Sequence, residues 1–301
     1  MLRCSTVAHH PTPEFPSHLE ALYRGFPFAR SLEHDPLGHV RPLARDARSG
    51  EVAGIFASTL AIGNTTAIRG AFVRLTSIAG GDLTSLVRDT PAVRSRRLQG
   101  FRHRWIRGDQ LARLAARLGE IYGSYDGLEG VFVEGMESTG EFASGVDALA
   151  RALRGPTRPA PPRGYAHLFP SPKESPRSPC KRLTLFVRWM VRPTYPDLGL
   201  WTKVPPSTLR IPLDQHVYWI AYHLGLTRRK SRSWATVEEV TAALRAIDPA
   251  DPVKYDFVLC HTGISGDCPK RRDMAVCGPC VVRPDCLLWR LPGSNGRARA
   301  G

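Results

Sequence analysis

Five of the seven cysteines lie in one C-terminal segment, and their spacing is suited to metal binding. Four of them, Cys268, Cys277, Cys280 and Cys286, follow the pattern C-x8-C-x2-C-x5-C. Thiolates bind iron and zinc, and a C-x2-C step lets two sulfurs reach one centre. Structural zinc sites usually combine two such steps, whereas this segment has one. The spacing therefore predicts a [4Fe–4S] cluster, with zinc as the alternative, and the fifth residue, Cys260, is predicted to be a buried thiol.

The cysteine segment resembles the iron–sulfur loop of endonuclease III-type DNA glycosylases. The resemblance rests on VLCHTG ahead of Cys268 and on CGPCVVRPDC from Cys277 to Cys286. The first gap is two residues longer here, a difference that an exposed loop tolerates. Proteins of this helix-hairpin-helix superfamily are helical and act on damaged DNA. They carry an aspartate at a helix start and, in the bifunctional members, a lysine on the helix after the hairpin.

The resemblance implies that Lys181 and Asp214 are the catalytic pair. Asp214 lies in IPLDQHVYW, which is similar to the family pattern V-D-x-H. Lys181 opens KRLTLFVRWM, directly after SPKESPRSPC, which stands where the family has its L-P-G-V-G hairpin. The 33-residue separation of the pair is closer to that of archaeal oxoguanine glycosylases, which also lack a standard hairpin.

The chemistry of both positions agrees with these roles. The positive end of a helix and the neighbouring arginines disfavour a charged ammonium at Lys181, so its free amine is available as a nucleophile. The same helix-end field keeps Asp214 ionised, as needed to activate the amine and stabilise positive charge at a sugar. Two alternatives stay open: Asp214 is only a helix cap, or Lys181 contacts phosphate while Lys173 or Lys203 reacts.

Nine further residues are predicted to contact nucleic acid: Asn64, Arg182, Arg188, Arg192, Trp201, His216, Lys270, Arg271 and Arg272. Asn64 resembles the position of a polar wedge that enters the base stack, and the alternative is a turn residue in the αL conformation. Trp201 lies on an irregular segment and is a candidate for stacking on a base, with core packing as the alternative. His216 is expected to support Asp214 or to face a phosphate.

Helices must hold these residues, and the chain is predicted to be all-α. Apolar residues recur at helical spacing over 51–75 with a break at 62–66, which predicts two helices joined by a tight turn. A helix is also predicted from Asp214 to Gly225.

The segment CKRLTLFVRWMVR predicts another helix with two contrasting faces. Its apolar stripe consists of Leu183, Phe186, Val187 and Met190. Its polar face is predicted to carry Lys181, Arg188 and Arg192.

Composition shifts divide the chain into six predicted segments. They are an irregular N-terminus (1–16), a first helical lobe (17–153), a Pro-rich basic linker in place of the hairpin (154–179), a second helical lobe with Lys181 and Asp214 (180–259), an iron–sulfur cluster loop (260–290) and a flexible tail (291–301).

The charge distribution indicates a polyanionic partner. The 301 residues include 42 Lys and Arg against 27 Asp and Glu, a net charge of +15, and the 42% hydrophobic content excludes general disorder. A net charge of +10 lies within 151–210, and +5 lies within 268–301. Such clustering predicts a binding face rather than a uniformly basic surface.

No apolar run is long enough to cross a membrane, and no apolar leader is present, so we expect a cytoplasmic, nucleoid-associated protein.

Over about residues 20–290 the chain resembles a widespread prokaryotic family of unassigned function within the same superfamily. The shared motifs are HLFPSPK, CKRLTLFVRWMVR, DLGLW, IPLDQH and DPVKYDF. The resemblance implies a two-lobed helical glycosylase-like fold with a C-terminal [4Fe–4S] loop. We expect a monomeric base-excision-repair enzyme, a DNA glycosylase with AP lyase activity on double-stranded DNA carrying a damaged base or abasic site. The alternative is a non-catalytic iron–sulfur protein that senses lesions or binds RNA.

Overall fold

A computed structural model describes residues 12–290, and within this range the protein is built almost entirely from α-helices. The helices are Phe15–Arg24 (α1), Phe28–Leu32 (α2), Pro36–Val40 (α3), Ala47–Leu60 (α4), Thr65–Ile78 (α5), Thr84–Arg88 (α6), Pro91–Arg97 (α7), Gly108–Ser124 (α8), Gly127–Glu137 (α9), Phe142–Arg154 (α10), Lys181–Val191 (α11), Gln215–His223 (α12), Trp234–Arg245 (α13), Asp256–Ile264 (α14), Met274–Cys277 (α15) and Leu287–Arg290 (α16). Two short strands, Arg102–His103 (β1) and Ile106–Arg107 (β2), pair antiparallel as a hairpin. The predicted all-α class is confirmed. Among the helices of residues 12–290, none is both long and apolar enough to cross a membrane.

The predicted break at 62–66 separates α4 from α5, as expected. Asn64 caps α5: its side-chain oxygen accepts a hydrogen bond from the backbone N–H of Ala67 at 2.8 Å. The backbone of Asn64 is extended (φ −79°, ψ 157°), so the αL alternative for this residue is wrong. The predicted tail at 291–301, and residues 1–11 of the predicted irregular N-terminus, lie outside the described residues.

Helix α4 lies at the centre of the core. Its residues from Ser49 to Leu60 are all buried, so the helix must be covered on every side by other elements. Gly54 lets α11 approach closely, because a Cβ at this position would lie only 2.8 Å from Cε of Met190. The contact between α4 and α11 fixes the helix that begins at Lys181.

Trp201 belongs to the core, so its predicted role in stacking on a base is wrong. Its side chain is 3% exposed, and Nε1 donates a hydrogen bond to the Glu51 carboxylate of α4 at 2.8 Å. A buried carboxylate needs donors, and Trp201 supplies one from 150 positions away in the chain. That pairing could not be inferred from the local sequence around Trp201.

Helix α11 confirms the predicted apolar stripe, because Leu183, Phe186, Val187 and Met190 are all buried. The expected polar face is only partly correct. Arg188 and Arg192 are 3% and 2% exposed, so the prediction that they contact nucleic acid is wrong.

The two buried arginines form an ion-pair network with three aspartates. Arg188 pairs with Asp197 at 2.9 Å and with Asp256 at the start of α14. Arg192 pairs with Asp197 at 3.1 Å and with Asp251 at 2.7 Å. Burial of a guanidinium is tolerated only when carboxylates compensate the lost hydration. Asp197 is a local partner, whereas Asp251 and Asp256 come from a distant part of the chain. The network ties α11 to the segment that begins α14.

The Pro-rich stretch 154–179 is irregular, as predicted, apart from a 3₁₀ turn at Tyr165–Leu168. It is nevertheless packed, because Tyr165, Leu168 and Phe169 are fully buried. The Tyr165 hydroxyl donates to the carbonyl of Leu153 at 2.8 Å, and Nε of Arg182 donates to the carbonyl of Leu168 at 2.9 Å. The stretch therefore lies against the ends of α10 and α11 as part of the core.

The buried network generates a stability prediction. Arg188→Ala would leave Asp197 and Asp256 buried with less compensation, and we expect a loss of about 3–5 kcal/mol in unfolding free energy. The control is Arg24→Ala, because the Arg24 side chain is 78% exposed and its partner Glu20 still has an ion pair with Lys254 after the substitution. The control should change stability by about 1 kcal/mol or less. Urea denaturation of both variants measures the difference, and equal losses would contradict a structural role for the network.

Candidate active site

A cavity of about 350 Å³ lies where the N-terminal ends of several helices meet. Its walls include Asn64, the cap of α5, Lys181, the first residue of α11, and Asp214, the cap of α12. His216 also faces this space. Four residues predicted from the sequence are thus brought together from three separate segments. Backbone N–H groups at these helix starts carry partial positive charge, which attracts negatively charged groups, whereas the carboxylates of Asp35, Asp214 and Asp256 in the same walls repel them.

Asp214 is held through both of its carboxylate oxygens. Oδ1 accepts a hydrogen bond from the backbone N–H of Val217 at 2.8 Å, which confirms the predicted helix cap. Oδ2 accepts from the Cys260 thiol of α14 at an S–O distance of 3.4 Å. The carboxylate is therefore fixed in orientation at the cavity wall. Capping and a catalytic role are compatible at this position, because the second oxygen is held by a side chain rather than by the helix.

Cys260 is only partly as predicted: its thiol is mostly shielded, but it faces the cavity and contacts Asp214. Burial raises the pKa of the Cys260 thiol well above its usual value, and the Asp214 charge acts in the same direction. The thiol therefore stays protonated and can donate to Asp214. Sequence reasoning missed this contact because the residues lie 46 positions apart.

Lys181 is half-buried at the start of α11, and its side chain makes no hydrogen bond or ion pair within residues 12–290. The neighbouring Arg182 is engaged with the protein, because its guanidinium donates to the carbonyls of His167 (2.6 Å) and Leu168 (2.9 Å). The amine of Lys181 is thus the cationic group at the cavity that has no acidic partner in the described range.

His216 is a neutral imidazole in this environment. Burial lowers its pKa, Asp214 opposes that shift, and Lys270 and Lys181 add to it. Its Nδ1 is buried and has no hydrogen-bond partner in the described range. The ring fits only because residue 263 is glycine: a Cβ there would lie 2.7 Å from Cβ of His216.

Three acidic or basic side chains at the cavity were not predicted. His261 Nε2 and Asp35 Oδ2 are 2.9 Å apart. Asp256 is 2% exposed and bonds to Arg188 through one oxygen, while its Oδ1 has no partner in the described range. Burial and the Asp214 charge together raise the pKa of Asp256 to about 6, against the opposing effect of Arg188. Within DPVKYDF this aspartate looks like an ordinary helix start, so its burial could not be predicted from the local sequence.

The remaining predicted nucleic-acid contacts are separate from the cavity. Lys270, Arg271 and Arg272 lie in the cysteine segment, where Lys270 is half-buried and the two arginines are exposed. Arg272 also donates to the carbonyl of Leu288 and lies over the Trp289 ring at 5.6 Å. The structure thus places these side chains on a loop surface and not at Asp214.

The four clustered cysteines, Cys268, Cys277, Cys280 and Cys286, border one small cavity of about 40 Å³. Its other walls are mainly apolar and include Ile220 and Leu224 from the end of α12. None of the four is in a disulfide. Burial raises the pKa of three of the thiols, that of Cys286 to about 11, and the nearby cysteines act in the same direction.

Four thiols are the donor type of an iron–sulfur or zinc centre, and here they border one apolar cavity. In the part of the chain that the structure describes, no group of three or more His, Cys, Asp or Glu side chains is positioned to hold a metal ion. Binding would require thiolates, so metal uptake at this cavity must release protons.

The helices and the cavity define an all-helical protein in which a lysine, an aspartate and a histidine face one internal space. The chain belongs to the family described as Protein of unknown function (DUF2400), whose model matches residues 35–265. That span contains every residue that lines the cavity, from Asp35 to Ile264, and ends before Cys268. No curated protein and no solved structure matches the chain.

The burial of Asp256 predicts a specific pH dependence of stability. Its folded-state pKa of about 6 lies above the ordinary 3.8, so the native state binds the proton more tightly than the unfolded chain. Protonated Asp256 contributes up to about 3 kcal/mol to the free energy of unfolding below about pH 4. This contribution is lost as pH rises through about 6. The side-chain oxygen of Asp256→Asn can still accept a hydrogen bond from Arg188, but the amide does not ionise. We expect its stability relative to wild type to increase between pH 5 and 7.5 in urea denaturation, and parallel pH profiles would contradict the assignment.

Proposed function

We propose that this protein is a DNA glycosylase with AP lyase activity, in which Lys181 is the nucleophile and Asp214 assists it. The observation that carries the proposal is their position in one 350 Å³ cavity bordered by helix N-termini. A space of this size is typical of small-ligand sites, and a nucleotide extruded from a duplex requires such a pocket. The resemblance to endonuclease III-type glycosylases implies the same assignment, and the all-α fold is compatible with it.

In the proposed reaction, the lone pair of the Lys181 amine forms a bond to C1′ of the extruded nucleotide. The bond from C1′ to the base breaks, and the base leaves with the electron pair and takes up a proton. Asp214 receives the proton released by the attacking amine and stabilises positive charge at the sugar. The C1′–O4′ bond then breaks as the nitrogen lone pair forms the C=N bond, and O4′ takes up the proton held by Asp214, which opens the sugar ring. The resulting Schiff base loses a C2′ proton and then the 3′ phosphate by β-elimination.

The surroundings of the pair support this chemistry. Helix N-termini at the cavity favour phosphate groups. The double restraint on Asp214 keeps its carboxylate in one orientation, so little reorganisation is needed during reaction.

The proposed partner is double-stranded DNA with a damaged base or an abasic site. Arg188 and Arg192 are paired internally and do not contribute to the binding surface. The remaining basic side chains of 151–210 and the loop cations Lys270, Arg271 and Arg272 would contact phosphates. Such binding is consistent with a nucleoid-associated protein.

We also propose that Cys268, Cys277, Cys280 and Cys286 hold a [4Fe–4S] cluster, with zinc as the alternative. When bound, the cluster would cross-link the loop and so hold its basic residues in place. The arrangement that supports this is four free cysteines around one apolar cavity beside the end of α12. The cluster is assigned a structural role because nothing in the proposed reaction transfers electrons.

Borohydride trapping tests the proposed reaction. Wild-type protein should form a covalent adduct with a duplex that carries an abasic site, and Lys181→Ala should abolish the adduct because the attacking amine is absent. Asp214→Asn should reduce adduct formation by about 100-fold or more, in line with removal of a positioned general base. Lys173→Ala is the matched control, since Lys173 belongs to the same basic segment but does not line the cavity. DNA binding without any adduct would favour the alternative function, a non-catalytic lesion sensor or RNA binder.

Metal analysis tests the cluster. Anaerobically purified protein should be coloured and contain about four irons per chain. Cys277→Ser should lose iron and colour because a ligand is removed. Cys180→Ala is the control: Cys180 is a free, buried thiol outside the cysteine cavity, so this variant should keep its iron. Colourless protein with one zinc per chain would contradict the iron–sulfur assignment.

A further inference from the structure

The hairpin β1–β2 carries an exposed tryptophan at its tip, a feature that the proposed chemistry does not use. Trp105 is 42% exposed, and among the large exposed hydrophobic side chains of residues 12–290 it is the one tryptophan. Its hairpin reads RHRWIR, so three arginines accompany it within six residues. Of these arginines, only Arg107 has an acidic partner in the described range, Asp109 at 3.0 Å.

The hairpin contacts the turn that precedes α5, and this turn borders the cavity. His103 Nε2 lies 3.1 Å from the carbonyl of Leu60 and 3.0 Å from that of Ile62, which joins β1 to the end of α4. The guanidinium of Arg104 lies against Gly63, where a Cβ would be 2.9 Å from Arg104 Nε. Gly63 has φ +107° and lines the cavity together with Asn64. The tip is therefore held next to one wall of the cavity.

A second contact places the same tip near the start of α11. Cζ of Arg182 lies 5.8 Å from the centre of the Trp105 ring, a cation–π distance. Arg182 follows Lys181 directly and is itself held by the carbonyls of His167 and Leu168. Trp105 thus stands between the Asn64 turn and the start of α11, both of which border the cavity.

A basic hairpin with an exposed aromatic side chain matches the chemistry of an unstacked nucleobase. Bases present their flat faces only where stacking is broken, and aromatic side chains bind those faces regardless of sequence. Arginines on either side of the ring supply contacts to the flanking phosphates. An intact duplex offers no free base face, so the tryptophan would contribute little to its binding.

We propose that Trp105 stacks on an unstacked base next to the target nucleotide and thereby makes this protein prefer duplexes with a missing or unpaired base over intact ones. This inference rests on the proposed function, because it takes the cavity as the site that receives the target nucleotide. It adds the element that recognises the disrupted duplex around that nucleotide.

Equilibrium binding tests the proposal without requiring catalysis. Full-length protein is titrated into three labelled DNA duplexes that share one sequence: intact, with one stable tetrahydrofuran abasic site, and with one unpaired base. Trp105→Ala should weaken binding to the two disrupted duplexes by about 5- to 100-fold, the range expected for loss of one stacked base. Binding to the intact duplex should stay within about twofold. Trp105→Phe should restore most of the preference because it retains an aromatic face.

The matched control is Tyr195→Ala. Tyr195 is 45% exposed and lies under Arg41 at 5.1 Å, so it resembles Trp105 in exposure and in its arginine contact. It follows the C-terminal end of α11, at the other end of the helix from Lys181, and does not line the cavity. This variant should bind all three duplexes as wild type does.

The outcomes separate the two proposals. Suppose that wild type forms the borohydride adduct, and that Trp105→Ala either binds all duplexes as wild type does or loses the same factor of affinity for intact and disrupted duplexes. The stacking inference is then wrong, and the enzyme assignment stands. If wild type prefers disrupted duplexes through Trp105 but forms no adduct, the inference holds for a non-catalytic sensor. Wild type that shows no preference among the duplexes, or binds single-stranded RNA more tightly than any of them, overturns the inference.

Discussion

The buried ion network around Arg188 is the interaction on which the arrangement of the site depends. Arg188 joins Asp197 and Asp256, and Arg192 joins Asp197 and Asp251, so helix α11 is fixed to the start of α14 from within. Helix α11 begins with Lys181, and α14 carries Cys260, which holds Asp214. The network therefore sets the distance between the proposed nucleophile and its carboxylate partner. Two arginines face three aspartates there, which is consistent with the raised pKa of the buried Asp256.

The cavity combines the positive ends of helices with the carboxylates of Asp35, Asp214 and Asp256. Asn64, Lys181 and Asp214 each stand at the start of a helix, and the partial positive charges of these helix ends converge on one space. Phosphate groups are attracted to such helix ends. A basic hairpin with Trp105 borders the same space from outside. The proposed binding of a polyanion would use this arrangement of helix ends.

The sequence predicted what depends on local signals. The break at 62–66, the cap at Asp214 and the apolar stripe of α11 all follow from residues within one or two turns of each other. The errors concern residues that have at least one remote partner. Asp197 follows Arg192 by 5 positions, but Asp251 lies 59 positions after Arg192 and Asp256 lies 68 positions after Arg188, so the local sequence predicts an exposed basic face there. Trp201 was misplaced for the same reason, since Glu51 is its partner. The spacing of the clustered cysteines predicted that they share a site, and all four border one cavity.

The most direct measurement is to identify the residue that carries the sugar remnant after borohydride reduction of a complex with abasic DNA. Peptide mass spectrometry of the trapped protein locates the modified amine without any substitution that could disturb folding. The account predicts a single modified residue, Lys181, in a peptide that spans the start of α11. A remnant on Lys173, on Lys203 or on the N-terminal amine, or no remnant at all, would contradict the assignment of Lys181 as the nucleophile.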